Sequence, residues 1–342
     1  MKTAVVLFNL GGPDKPEAIK KFRVNLFSDK AIIRAPWFVR IWLSRLIAAS
    51  SARTAVENYK LMGGKSPLLG LTQKQATALE VALRPDYRCF IAMRYWHPFA
   101  SETVKAVKDW APDKVVLLPL YPQFSTTTTG SSLSDWRAQA AKIGLVTPVS
   151  TLCCWFDNPD YIAATASFVR TAIAAARQEN PDIPIRVLFS AHGLPETIVK
   201  KGDPYQAQIE ATSQAVMANL CDESVEFQIC YQSRATPQKW LEPNIVDEIK
   251  RAGQQTVGLV VVPIAFVSDH IETLVELDIE NRHLAAQVGV PVYHRAAVAN
   301  DDPAFIQALA NLVKNSGKNG LCRGGSTCGS HKDCPWEKIS AT

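Results

Sequence analysis

Ionisable groups gather at two points of this chain, each directly after an apolar run. Ser190-Ala191-His192-Gly193-Leu194-Pro195 follows the run 185–189, and Ser268-Asp269-His270-Ile271-Glu272-Thr273-Leu274-Val275-Glu276-Leu277-Asp278 follows the run 258–267. An imidazole, with an ordinary pKa of about 6.5, can take a proton or give a lone pair to a metal near neutrality. Carboxylates in a row supply the oxygens that a hard divalent cation or a proton path needs. Together these groups suit work on protons or on a metal ion.

His192 is one of only six histidines. Its small neighbours leave the ring exposed, and Gly193 with Pro195 prevents an immediate helix, so a loop is expected to present it. The bland reading is a core histidine satisfied by hydrogen bonds. On a helix turning roughly 100° per residue, Asp269, Glu272, Glu276 and Glu280 share a sector of about 80°, while Ile271 and Leu274 point elsewhere as anchors. Capping explains part of this: Asp269 as N-cap with Glu272 three residues later resembles a capping box, and acids suit a first helical turn. It explains neither His270 nor the acids beyond that turn.

Phosphate-binding motifs fail. Gly63-Gly64-Lys65-Ser66 resembles the end of a P-loop, but Tyr59 stands where the first glycine is required and Pro67 blocks the helix start. Gly11-Gly12 lacks the third glycine of a dinucleotide fingerprint. The hydroxyl-rich loop Ser125 to Ser132 could hold a carboxylate or simply cap the next helix. Residues 36–47 combine Trp37, Phe38, Ile41, Trp42 and Leu46 with Arg40 and Arg45, and Arg34 lies just upstream. They read either as a packed amphipathic helix or as an aromatic lip able to touch a flat anionic ligand or a membrane. The tail carries Cys322, Cys328 and Cys334 at six-residue steps. A Cys₄ site needs a fourth thiol, for which Cys153 and Cys154 are candidates; zinc, an iron–sulfur cluster and inert thiols all stay open.

Such groups need elements to hold them. Apolar, β-branched runs at 4–8, 89–93, 115–120, 146–152, 185–189, 227–231 and 257–264 alternate with amphipathic stretches such as 73–83, 161–175, 206–220 and 271–287. That alternation is the signature of α/β folds with parallel sheets covered on both faces. The halves also echo each other. Leu7-Phe8-Asn9-Leu10-Gly11-Gly12-Pro13 is similar to residues 188–195, and Val115-Val116-Leu117-Leu118-Pro119-Leu120 to Leu259-Val260-Val261-Val262-Pro263-Ile264. We therefore expect two similar domains, 1–155 and 156–315, and a Cys-rich tail, 316–342. With 342 residues, 47% hydrophobic and 20% charged, the composition is globular. A net charge of +5 argues against a nucleic-acid binder. No secretory signal and no membrane span is expected, so the eight cysteines are assigned to a reducing cytoplasm, where disulfides are disfavoured.

Several blocks in one order carry a more specific message: Asn9-Leu10-Gly11-Gly12-Pro13, Gly64-Lys65-Ser66-Pro67-Leu68, Arg94-Tyr95-Trp96-His97-Pro98, Tyr121-Pro122-Gln123-Phe124-Ser125, Ser190-Ala191-His192-Gly193-Leu194-Pro195, Gly202-Asp203-Pro204-Tyr205, Tyr231-Gln232-Ser233 and Ser268-Asp269-His270-Ile271-Glu272-Thr273-Leu274. Through these the chain resembles the ferrochelatases, which insert ferrous iron into protoporphyrin IX. The resemblance implies two Rossmann-like domains with the porphyrin in the cleft between them. It implies that His192 and Glu272 face each other across the macrocycle and handle the iron, with Asp269, His270 and Glu276 extending the acidic track. Arg94 and Tyr95 match a pocket position; Tyr121, Ser125 and Arg34 complete the implied substrate set. The aromatic lip would meet the membrane, which leaves the enzyme cytoplasmic and peripheral to the inner membrane. Oligomerisation stays open. Fe2+ is then a substrate. A [2Fe-2S] cluster on Cys153 or Cys154 with Cys322, Cys328 and Cys334 fits some family members, although no cysteine near Phe124 matches the body ligand of the animal enzymes. A coproporphyrin-type ferrochelatase, or a non-catalytic haem or metal carrier, is the alternative.

Overall fold

Uninterrupted apolar runs make strands buried on both faces, the condition that parallel sheets impose. The computed structural model describes residues 1–233 and 238–316 and contains two such sheets. In the first unit β1 (Thr3–Asn9), β2 (Tyr87–Met93), β3 (Lys114–Pro119) and β4 (Val149–Thr151) are all parallel, in the order β2-β1-β3-β4. In the second, β5 (Ile185–His192), β6 (Glu226–Gln232), β7 (Gly258–Pro263) and β8 (Tyr293–Arg295) repeat it as β6-β5-β7-β8. The sequence echoes thus have a structural cause. The first pair lies on β1 and β5 and the second on β3 and β7, equivalent strands that are buried along most of their length.

The chain changes sides of the sheet between β1 and β3, and again between β5 and β7. Ligands of open α/β sheets bind outside the carboxyl ends of the strands at such a switch point. His192 is the last residue of β5, and the segment after β7 carries Asp269 to Glu276, so both ionisable segments lie at the switch point of the second sheet. Helices cover the faces. The longest, Pro159–Glu179, starts with Asn158 accepting the Tyr161 N–H at 3.0 Å and proline at its first position. It buries Ile162, Ala166, Val169, Ile173 and Ala176 at helical spacing.

Several boundaries differ from expectation. The run 146–152 yields only Val149–Thr151, because Val146 is 93% exposed and apolar character alone does not make a strand. The short strand β8 lacks a long apolar run to signal it. β5 continues through His192, so the imidazole is presented by a strand end, not by a loop. Residues 272–281 form a π-helix, Glu272–Asn281, continued by the α-helix Arg282–Gln287. Ten residues closing i→i+5 is long for a form usually seen as a single turn at functional sites. The helix Pro303–Asn315 belongs to the first unit, which comprises Met1–Trp155 and the chain from Asn300, while the second is Phe156–Ala299. Its buried stripe explains the return: Phe305 packs on Trp155 at 6.0 Å between ring centroids, and the Gln75 amide donates to the Asn300 carbonyl at 2.7 Å.

Candidate active site

In the second sheet His192 and Gln232 are register partners on adjacent strands. Gly193 follows His192, and its N–H donates to the Gln232 carbonyl at 2.8 Å. A Cβ there would lie 3.0 Å from that oxygen, so glycine permits the close approach. The Tyr205 hydroxyl oxygen accepts a hydrogen bond from the His192 backbone, and burial pushes the phenol well above its ordinary pKa, keeping it neutral.

Opposite the strand end stands the start of the π-helix. The Glu272 Oε2 lies 3.0 Å from His192 Nδ1 and 3.3 Å from the Gln232 amide nitrogen. Burial opposes both charges. The imidazole is 39% exposed, so solvent softens that cost, and Glu272 pulls the His192 pKa above its ordinary value. Reciprocally, His192 holds Glu272 down at about 2 in spite of its burial. The contact thus favours the protonated imidazole and the ionised carboxylate together, each stabilising the other's charge. Its geometry corrects the expectation that a macrocycle separates the two: they are hydrogen-bonded neighbours within one unit, with no gap for a ring.

Four residues further on, Glu276 accepts the Ser233 hydroxyl at 2.6 Å, the Ser233 N–H at 3.2 Å and the Gln232 amide at 3.3 Å. Ser233 has φ +60°, a left-handed backbone uncommon outside glycine and asparagine, and both of its donors reach one carboxylate. Burial and the neighbouring Glu272 charge push Glu276 up to about 7. His270 is buried against Phe266, with ring centroids 4.4 Å apart. Desolvation lowers its pKa, so it is neutral. Its Nδ1 lies 3.2 Å from the Ser268 carbonyl, which selects the Nδ1–H tautomer and leaves the Nε2 lone pair 4.0 Å from Glu272 Oε1.

Asp269 is engaged differently. Its carboxylate takes the Thr273 hydroxyl at 2.9 Å and pairs with Arg295 from β8 at 3.3 Å. Thr273, not Glu272, closes the capping interaction, since its Oγ also accepts the His270 N–H at 3.0 Å. Glu272 is thereby released to face His192. Arg295 reaches Asp278 at 2.8 Å as well, and the Tyr293 hydroxyl donates to the Leu277 carbonyl at 2.8 Å, so β8 braces the π-helix. Arg295→Gln takes the guanidinium from Asp269 and leaves Asp278 only the longer 3.9 Å pair with Arg282, and should lower stability by about 2 kcal/mol, measurable by urea denaturation at neutral pH.

In the first unit Arg94, 22% exposed, pairs with Asp29 at 2.9 Å and Asp135 at 3.4 Å, and donates to Ser131 at 2.7 Å. The buried Tyr95 hydroxyl donates to Asp29 at 2.8 Å. The Arg94 guanidinium and the Tyr95 hydroxyl are thus internally engaged around Asp29, a residue the sequence reading missed. Tyr121 has its hydroxyl buried beside Ser132. Ser125 is buried, and its hydroxyl accepts the Thr127 N–H at 3.1 Å, closing the turn into helix Thr129–Ile143. In the helix Trp37–Ser50 the small residues Ser44 and Ala48 are buried, while Trp37, Phe38, Trp42 and Leu46 are exposed. Arg34 and Arg45 are exposed beside them, whereas Arg40 is spent on the Ser28 and Ala35 carbonyls. Cys153 and Cys154 are buried with sulfurs 3.7 Å apart, and Cys153 is disulfide-bonded, against the expectation of reduced thiols. Cys322, Cys328 and Cys334 lie outside the described residues. Among the described residues no three His, Cys, Asp or Glu side chains form a ready metal-binding group, and no helix is long and apolar enough to cross a membrane.

Gln232, Ser190, Ser233 and Arg295 were not assigned roles from sequence. Gln232 and Ser233 lie at the carboxyl end of β6, so the strand-end reasoning that found His192 extends to them. Comparison with known proteins identifies the family. The model of the ferrochelatase family matches residues 2–317. A ferrochelatase from Caulobacter vibrioides is 48% identical over 98% of this chain and 96% of its own, and one from Phenylobacterium zucineum is 51% identical over 92% and 91%. Among solved structures, Bacillus subtilis SirB with Fe3+ superposes with a TM-score of 0.52 at 14% identity, over 93% of this chain and 97% of its own. The sirohydrochlorin chelatase SirB of subspecies spizizenii with cobalt gives 0.51 at 13%, over 92% and 94%. These two share the fold. On the family match and the near full-length identity, the chain belongs to the ferrochelatase family.

Proposed function

We propose that the chain inserts Fe2+ into protoporphyrin IX to form protohaem, and that His192 and Glu272 work as one unit on a single face of the ring. The observation that carries this is the 3.0 Å contact between His192 Nδ1 and Glu272 Oε2, backed by Glu276 and the His270 Nε2 lone pair. Metallation exchanges one dication for two pyrrole protons, so the site must deliver a cation and accept protons. A dication approaching Glu272 competes with the imidazolium for the carboxylate and lowers the imidazolium's pKa. The proton that His192 releases can leave through Glu276, poised near 7 between the site and solvent, and the freed imidazole can then take the two pyrrole protons in turn, each passed out by the same route. Glu272 Oε1 and His270 Nε2, 4.0 Å apart, offer mixed oxygen and nitrogen donors for the incoming metal.

Mixing the purified protein with protoporphyrin and Zn2+ or Fe2+ and following the metalloporphyrin spectrum tests the activity. Many turnovers per chain support it; a change that stops at one equivalent supports a carrier. Glu276 gives a separate handle. Its pKa is raised in the fold, so between its unfolded value and about 7 the folded state holds the extra proton, and stability falls as pH rises through that window. Glu276→Gln removes this cost and is expected to raise Tm more at pH 8 than at pH 5 by differential scanning calorimetry.

Two finer readings accompany the activity. The exposed Trp37, Phe38, Trp42 and Leu46 support peripheral contact with the cytoplasmic face of the inner membrane. For a [2Fe-2S] cluster, the described residues hold one of the four sulfurs, from Cys153 or Cys154, whose sulfurs lie 3.7 Å apart, and the three tail cysteines lie outside the described residues. The visible absorption of the purified protein tests for a cluster.

A further inference from the structure

We infer that Gln232, held in one orientation by Ser190, is a positioning residue that clamps Glu272 and Glu276 together so that two carboxylates can await a cation side by side. The inference deepens the reading of His192 and Glu272 as the metal-handling pair and rests on it.

The Gln232 side chain is fully buried. Its nitrogen lies 3.3 Å from Glu272 Oε2 and 3.3 Å from Glu276 Oε2, so the two N–H groups of one amide can each serve a different carboxylate. Its oxygen accepts the Ser190 hydroxyl at 2.6 Å. Ser190 lies two residues before His192 on β5, and Gln232 is the register partner of His192 on β6. Side chains two apart on a strand share a face, so serine, histidine and glutamine reach the same side of the sheet.

The orientation matters because an amide has two unlike ends. Turned over, Gln232 would aim its oxygen at two carboxylates and its nitrogen at Ser190. A serine hydroxyl could accept from that nitrogen, but both acids would then lose a donor and meet a lone pair. Ser190 and the two carboxylates therefore select the same rotamer, and the network is satisfied in only one sense.

A neutral donor suits this position better than the alternatives. A lysine or arginine would hold the acids together as their permanent counter-ion and compete with the metal. An apolar side chain would remove the one donor that the two carboxylates share, leaving each with its separate partners, His192 and Ser233. An amide draws the oxygens together, yet leaves their negative charge available to an arriving dication. Outer-shell partners that orient ligands in this way commonly set metal affinity by roughly 10–100-fold.

The test uses Gln232→Met, close in shape but without donors, and Ser190→Ala, which leaves the amide in place but frees it to turn. The readouts are KM for Zn2+, KM for protoporphyrin and kcat in the insertion assay, with calorimetric Zn2+ binding to the porphyrin-free protein. Gln232→Met is expected to raise KM and Kd for Zn2+ roughly 10-fold while KM for protoporphyrin changes less than about twofold. Ser190→Ala should move the same parameters by a smaller factor, and the double variant should be no worse than Gln232→Met alone. Should Gln232→Met fail to fold, the Zn2+ shift in Ser190→Ala decides. Unchanged Zn2+ parameters in whichever of the two folds, or losses that multiply in the double variant, would overturn the inference. Glu272→Gln run alongside separates the failures. If it weakens Zn2+ handling while Gln232→Met does not, only the clamp is wrong; if neither does, the metal-handling pair itself is misassigned.

Discussion

His192→Ala is expected to bind porphyrin with near wild-type affinity while its kcat for metal insertion falls by roughly 10²–10⁴-fold, the range set by a positioned acid–base group. The reason lies in what the ring does and does not touch. Its Nδ1 is committed to Glu272 at 3.0 Å, and the strand end beneath is fixed through Gly193 and Tyr205, which bond by backbone groups or to them. Removing the imidazole leaves those supports in place. The sheet, the π-helix and the amide of Gln232 persist, and what is lost is the proton acceptor together with the partner that holds Glu272 ionised. Fluorescence quenching of protoporphyrin and the rate of zinc-protoporphyrin formation separate the two effects. Equal losses in both would indicate a role in binding.

The second large effect is expected at Glu272→Gln. An amide there can still meet His192, but it cannot attract a dication, and it withdraws the charge that raises the imidazole's pKa. The signs follow. With the carboxylate present, His192 stays protonated to higher pH and depends on the incoming metal to release its proton. Without it, burial is opposed mainly by Glu276, and the imidazole becomes neutral at lower pH. Glu272→Gln should therefore raise KM for metal by roughly 10-fold or more and move the pKa of the His192 ring downward. NMR titration of the histidine side-chain signals checks the second part, and a ring that titrates as in wild type would contradict it. The direction also bears on Glu276, whose pKa near 7 owes part of its elevation to Glu272 and should relax when that charge goes.

Parts of this were legible without a structure, and the pattern of what was not is instructive. The doubled α/β architecture showed in two pairs of echoing segments because equivalent buried strands face the same packing demands. His192 and Glu272 stood out as candidates because ionisable residues after a buried apolar run are conspicuous. Gln232 entered only as part of the block Tyr231-Gln232-Ser233 and without a role, since a neutral amide carries no such signal of its own, although it sits at an equivalent strand end. The separation of His192 from Glu272 was misjudged: sequence identifies groups at one sheet end but not the distance at which β5 and the π-helix pack. The π-helix itself was hidden, because acids spaced by four fall near one another in either helical form. Asp29 was invisible for a further reason. Its partners Arg94, Tyr95 and Ser131 lie far along the chain, and nothing local marks a carboxylate that will be buried. The fate of helix Pro303–Asn315 was lost in the same way, since its apolar stripe reveals that it packs but not on which unit.

The central claim is that His192 and Glu272 act as one hydrogen-bonded unit on incoming metal. Steady-state zinc insertion by the two single variants and the double variant tests it most directly. Residues that act together lose most of their joint effect with the first removal, so His192→Ala with Glu272→Gln should be no slower than about threefold below the worse single variant. Losses that multiply across the two positions, or wild-type turnover in His192→Ala, would contradict the account.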